Sequence, residues 1–203
     1  VTFPKNVDCK TSHQIAFEAV GKDYRHKQKD NLSLQDISKG LGVSNWDNVR
    51  IITQTLNRFF SSVDEEIQLG HLPEENEKGH LSQEELDTKK SLLEQAKLVW
   101  EKMKDVKDPF PMTHDGYLKL YQLSKPDLSY YYSAILLDEA QDANPVISSF
   151  VLAQRCIVIF VGDRHQQIYR FRGAENALDL AEMRAAGRLY LTSSFRFGPQ
   201  VSM

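Results

Sequence analysis

Residues 134 to 142 read Ala-Ile-Leu-Leu-Asp-Glu-Ala-Gln-Asp, and no other stretch limits the fold so tightly. Four apolar residues stop abruptly at Asp138-Glu139, with Gln141 and Asp142 just beyond. A run this short, bounded by polar groups, predicts a strand buried on both faces, as in a parallel sheet. Its acids then stand at the carboxyl end of the strand, where open α/β sheets place their ligands. Adjacent carboxylates there suit nucleotide hydrolysis, with Asp138 orienting Mg²⁺ and Glu139 polarising the attacking water. A lone Asp-Glu pair is more often an acidic helix start after a core strand, so the pair alone does not decide for hydrolysis.

The next strand repeats the arrangement. Ile157 to Val161 is a second apolar run, and Gly162-Asp163-Arg164-His165-Gln166 follows it. Gln166 can hydrogen-bond a phosphate oxygen or the attacking water without adding charge. Tyr169 and Phe171, with Arg170 and Arg172 around them, form a cluster suited to stacking bases and holding phosphates. Two aromatics packing into the core is the plainer reading. A third strand is predicted at Leu189–Thr192, followed by Ser193 to Gly198. There Arg196 is placed to reach a phosphate or to make an ordinary surface ion pair. Helices predicted over Pro145–Leu152 and about 174–186 complete a strand, helix, strand, helix, strand rhythm, the signature of an α/β parallel sheet. Three polar clusters at three successive strand ends would converge on one crevice.

Ahead of this sheet the texture is helical. Val7 to Cys9 predicts a short strand, and Thr11 or Ser12 caps a helix whose apolar face is Ile15, Ala16, Ala19 and Val20. Ser33 opens a short helix closed by Gly40 and Gly42. Ser44 with Asp47 opens a longer one, striped by Val49, Ile52, Leu56, Phe59, Phe60 and Val63. Residues 68 to 80 read as a solvated loop, and Ser82 with Glu85 forms a capping-box pattern before a long helix stopped by Pro109 and Pro111. Thr113 caps another short helix carrying Tyr117, Leu118 and Tyr121. Residues 25–133 thus predict an all-helical module inserted between 1–24 and 134–203.

The net charge of −3 at first opposes a nucleic-acid partner, but residues 64 to 87 hold nine acids against one base, leaving the remainder at +5. That balance is compatible with nucleic acid and does not demonstrate it. Cys9 and Cys156 fit neither a metal spacing nor a disulfide framework, which predicts a reducing, intracellular setting. No apolar stretch approaches the length of a membrane span, so no membrane partner is expected. The chain opens on Val1 rather than methionine and stops soon after a new segment begins, so a piece of something longer is expected.

The ordered motifs resemble a known family. Leu136 to Asp142 is similar to motif II of superfamily 1 helicases of the UvrD/Rep type, Val161 to Ala174 to motif III, and Leu191 to Gly198 to motif IV. The wording Gln-Gln-Ile-Tyr-Arg-Phe-Arg-Gly, and the segment Met112 to Pro126, most resemble the eukaryotic F-box DNA helicases. Likeness is densest over 112–198, thinner over 5–20 and thinnest over 25–110. It implies a partial RecA-like P-loop NTPase domain with an inserted helical subdomain. It also implies a 3′ to 5′ DNA helicase or translocase using ATP and Mg²⁺ in nuclear recombination and repair. On that resemblance Asp138 sits at Mg²⁺, Glu139 is the catalytic base, Gln166 and Arg196 contact phosphate, and Gln141 links motif II to motif III. Tyr169 and Phe171 would stack single-stranded bases beside Arg172. Phe171 stands where many relatives carry tryptophan. Lys10, Thr11 and His13 match a DNA-contacting motif, usually Thr-Phe-His, whose aromatic is here Ser12. Single-stranded DNA and its junctions with duplex are the implied partners, together with recombinase filaments and ubiquitin-ligase subunits.

No Gly-x-x-x-x-Gly-Lys-Ser/Thr loop occurs in the chain. In the family it lies N-terminal to this segment, and the second motor domain lies C-terminal, so the fragment alone is expected to be inactive. Two rivals stay open: a catalytically inactive remnant that binds DNA or protein, and a Mg²⁺-dependent phosphohydrolase with a small substrate.

Overall fold

In the computed structural model, residues 3–73, 82–166, 177–179 and 187–191 are described, and they are mostly helical with two small parallel sheets. Helix α1 (Ser12–Ala19) starts in a reciprocal cap: Gln14 N donates to the Thr11 hydroxyl, and Thr11 N donates to the Gln14 side chain. The same device opens α2 (Leu34–Leu41) at Ser33 and Asp36, and α4 (Gln83–Lys104) at Ser82 and Glu85. Helix α2 ends at Gly42, whose φ of 67° is the left-handed turn that glycine adopts freely. Helix α3 (Trp46–Ser61) is capped by Asn45 rather than Ser44, because the Asn45 side chain accepts from both Asp47 N and Asn48 N. Thr113 caps α5 (His114–Leu123), and Asn144 caps α6 (Pro145–Leu152), with Pro145 in the first turn where its missing N–H costs nothing.

The predicted stripes become one continuous core except at Ala19, which is exposed, and Val63, which lies beyond α3 and is 52% exposed. Val49, Ile52, Leu56 and Phe59 of α3 meet Ala96, Val99, Trp100 and Met103 of α4, and Leu118 and Tyr121 of α5. Ala16 of α1 and Val146, Phe150 and Val151 of α6 belong to the same cluster. Trp100 anchors its aromatic part, with the Phe59 and Phe60 rings 5.7 and 5.3 Å away.

Strands β1 (Gln28–Lys29) and β2 (Met112–Thr113) pair in parallel, as do β3 (Ala134–Leu137) and β4 (Ile157–Phe160). Helix α6 supplies the crossover that parallel neighbours require. Register runs from Ala134 opposite Ile157 to Leu137 opposite Phe160, which sets the two strand exits side by side.

Several expectations are corrected. Val7 to Cys9 forms no strand: Val7 N donates to Pro4 O in a turn, and the segment is exposed. The β1–β2 ladder lies within the stretch expected to be wholly helical. Residues 68–73 are not simply a solvated loop, since Leu69–His71 forms a 3-10 turn with His71 buried. Strand β3 is covered on one face only. Ile135, Val158 and Phe160 pack on the core, whereas Leu136 and Ile157 are 60% and 66% exposed. Among the described residues the core cluster backs a single side of the pair. Residues 189–191 carry no strand and are nearly fully exposed, and Thr192 lies outside the described residues. Of the helix expected over 174–186, only 177–179 are described, as a 3-10 turn.

Two lysines point inward. Lys27 Nζ donates to the carbonyls of Lys102, Asp105 and Asp108 at 3.2, 2.5 and 3.0 Å, at and just beyond the C-terminus of α4. Lys119 Nζ donates to Ser62 O and Asp64 O at 2.8 and 2.6 Å and lies 4.5 Å from the centre of the Phe59 ring. Burial pulls the Lys119 ammonium from 10.5 down to about 8, against the opposing pull of Asp64 and Glu65. From pH 8 to 10 the unfolded chain therefore holds more of this proton than the folded one, and stability rises with pH. Above pH 10 Tyr121, which burial raises to about 12, reverses the sign. The urea midpoint is expected to climb across pH 8–10 in the native chain relative to Lys119→Met. That variant leaves two carbonyls unpaired, at about 1–3 kcal/mol each.

Candidate active site

The exit of β3 places Asp138 and Glu139 on the surface, and the backbone then reverses at once. Glu139 has φ 50° and ψ 40°, a left-handed conformation costing a non-glycine residue about 1–3 kcal/mol. Hydrogen bonds on every side hold it. Glu139 N donates to Asp138 Oδ1 at 3.0 Å, Asp142 N donates to Glu139 O at 2.9 Å, and Ala140 N donates to Val161 O at 2.9 Å.

Beneath this turn lies Gln141, only 1% exposed. Its Nε2 donates to Glu139 Oε2 at 2.6 Å, and its Oε1 accepts from Asp163 N at 3.1 Å. One buried amide therefore joins the carboxylate after β3 to the backbone after β4. Gly162 makes the approach possible, because a Cβ there would collide with Gln141 Oε1 and lie 3.1 Å from Ala140 N. Beyond it, Asp163 accepts from His165 N and from Gln166 Nε2, both at 2.9 Å. Those donors, His165 N foremost, hold the exposed Asp163 carboxyl below its usual range.

Of the residues singled out from the sequence, Asp138, Glu139, Gln141 and Gln166 are brought to neighbouring strand exits. Glu139, Gln141, Asp163 and Gln166 form one hydrogen-bonded chain. Tyr169, Phe171, Arg172 and Arg196 lie outside the described residues. Lys10, Thr11 and His13 cluster at the start of α1, each with a partner inside the fold. Lys10 Nζ lies 2.6 Å from Glu18 Oε2, Thr11 caps the helix, and His13 Nε2 is 3.1 Å from Asp115 Oδ1. Tyr132 OH donates to Asp8 at 2.8 Å, tying this segment to the approach to β3. Asp163 is the site residue that the sequence reading passed over. Its signal was an aspartate straight after a strand-ending glycine, where the side chain accepts from the backbone two residues on.

Among the described residues no group of three or more His, Cys, Asp or Glu side chains is placed to hold a metal ion. The exposed carboxylates of Asp138 and Glu139 fit Mg²⁺, an ion that takes one or two carboxylates and completes its shell with phosphates and water.

Parallel strands with a carboxylate pair at one exit, joined to the neighbouring exit by a buried amide, define an α/β arrangement. Residues 4–184 match the UvrD/REP helicase N-terminal domain, and the chain belongs to that family. F-box DNA helicase 1 of Gallus gallus is 46% identical over 215 residues, covering 100% of this chain and 21% of that protein. F-box DNA helicase protein 1 of Schizosaccharomyces pombe is 32% identical over 224 residues, covering 98% of this chain and 25% of its own length. The chain thus spans a fifth to a quarter of these relatives. No solved structure matches it.

Gly162→Ala is expected to destabilise the chain by about 1–3 kcal/mol in thermal unfolding, since backbone and a buried amide must both move. Gly70→Ala, where the added Cβ meets nothing within 4 Å, is the matched control and is expected to leave the midpoint in place.

Proposed function

We propose that residues 1–203 are part of the first motor domain of an ATP-dependent 3′ to 5′ DNA helicase or translocase, acting on single-stranded DNA and its duplex junctions in nuclear recombination and repair. In this reading residues 1–24 and 134–203 belong to a RecA-like sheet, and 25–133 form its inserted subdomain. One observation carries it. In a chain of this family, Glu139 at a strand exit is held by the buried Gln141 amide, which also grips the exit of the adjacent strand.

Mg²⁺, bound with the nucleotide phosphates, would neutralise charge there, with Asp138 as its carboxylate. Glu139 takes the proton of the attacking water, its carboxylate oriented by the 2.6 Å bond from Gln141. Gln166, at the exit of β4, orients phosphate or water, and Arg196 adds positive charge. Tyr169, Phe171 and Arg172 supply base stacking, and Lys10, Thr11 and His13 a second contact to the strand.

A DNA- or protein-binding module without turnover is a second reading. Ser12, in place of the aromatic usual in that DNA-contacting motif, favours it as the mark of a diverged copy. Both are tested by single-stranded-DNA-stimulated ATP hydrolysis in the full-length protein that carries this chain. Turnover is expected, and Glu139→Gln is expected to lower kcat by at least about a hundredfold. Undiminished hydrolysis in that variant would remove Glu139 as the base. No hydrolysis in any form, with DNA binding retained, would select the binding module.

A further inference from the structure

An exposed glutamine has little reason to hold one conformation. Three rotatable bonds cost about 1.5–2 kcal/mol to order, and water competes for both ends of the amide. Gln166 is nevertheless fixed. Its Nε2 donates to Asp163 Oδ2 at 2.9 Å, and its backbone N donates to Asp163 O at 2.9 Å. The other carboxylate oxygen of Asp163 accepts from His165 N at 2.9 Å, so the two oxygens have separate duties. Asp163 is itself anchored, because its N–H donates to the buried Gln141 amide that grips Glu139.

We propose that Asp163 is a positioning residue of the hydrolytic site, orienting the Gln166 amide and tying that orientation to Glu139 through Gln141. The proposal rests on the hydrolytic reading above. A primary amide carries two N–H donors and one acceptor oxygen. Asp163 takes one N–H, leaving the second N–H and the oxygen for a phosphate and a water. A negative charge beside a polyphosphate is otherwise a liability. Here two N–H donors offset it, in keeping with the lowered affinity of this carboxyl for its proton. The chain of bonds from Glu139 to Gln166 also passes through a single buried side chain. Water has no access at that link, and rearrangement at either end is felt at the other.

The alternative is a purely local role, Asp163 capping the turn Arg164–Gln166 through His165 N. Asp163→Ser separates the two, since a serine hydroxyl keeps the bond to His165 N and is too short to reach Gln166. The test is single-stranded-DNA-stimulated ATP hydrolysis in the full-length protein, with native, Asp163→Ser, Asp163→Asn, Gln166→Ala, Glu139→Gln and the Asp163→Ser/Gln166→Ala pair. Asp163→Ser is expected to lower kcat about tenfold while KM for ATP stays within about twofold. In the Gln166→Ala background it is expected to add nothing, and Asp163→Asn, whose single oxygen cannot serve both His165 N and Gln166 Nε2, to lose kcat as Asp163→Ser does.

Native kcat in Asp163→Ser, or a loss that multiplies with that of Gln166→Ala, overturns the proposal. If Glu139→Gln is inactive in the same series, the hydrolytic reading survives that failure. Full hydrolysis by Glu139→Gln, or none by the native protein, overturns both together.

Discussion

A single side-chain amide holds the chemistry-bearing end of this molecule in shape. Gln141 is buried with a donor and an acceptor, and each has a partner: the Glu139 carboxylate on one side, the Asp163 backbone on the other. Were either partner absent, a desolvated polar group would oppose the fold. The left-handed turn at Glu139 persists because it delivers that amide to its place. Parallel pairing makes the reach possible. The register of β3 and β4 sets residues 137 and 160 abreast, and Ala140 N to Val161 O continues the ladder beyond the strands.

The helical part serves this sheet from below. Helix α5 packs on α1 and on α6, and the core cluster to which α6 contributes backs Ile135, Val158 and Phe160 of β3 and β4. Tyr121 of α5 meets Phe150 of α6 with ring centres 5.4 Å apart. His13 of α1 bonds Asp115 of α5, so the residues expected to touch a nucleic acid are pinned to the same helix.

Much of this was legible in the sequence where the signal was local. The caps at Ser33, Ser82 and Thr113 depend on residues within four positions of one another, and each lies where the pattern placed it, while of Thr11 and Ser12, both left open, Thr11 is the cap. Where two adjacent residues compete to cap, as Ser44 and Asn45 do, the pattern misses by one. Non-local features were out of reach. The pairing of Gln28 with Met112 joins residues 84 positions apart, and no periodicity signals a two-residue ladder. The inward lysines defied the rule that ammonium groups stay in water, because the carbonyls that receive them belong to distant helix ends. At the site, Asp138, Glu139 and Gln166 stood out by type and place. Asp163 did not, since its part depends on the neighbours it bonds.

Those inward lysines give the fold a chemical clock. Acylating reagents and enzymes attack a neutral, accessible amine, and the ammonium groups of Lys27 and Lys119 are enclosed and bonded to main-chain oxygens. Exposed lysines such as Lys5 and Lys22 meet reagent without any opening of the fold. Lys27 and Lys119 react only when the C-terminal ends of α4 and α3 open, so the rate at which they acquire label reports how often those helix ends fray.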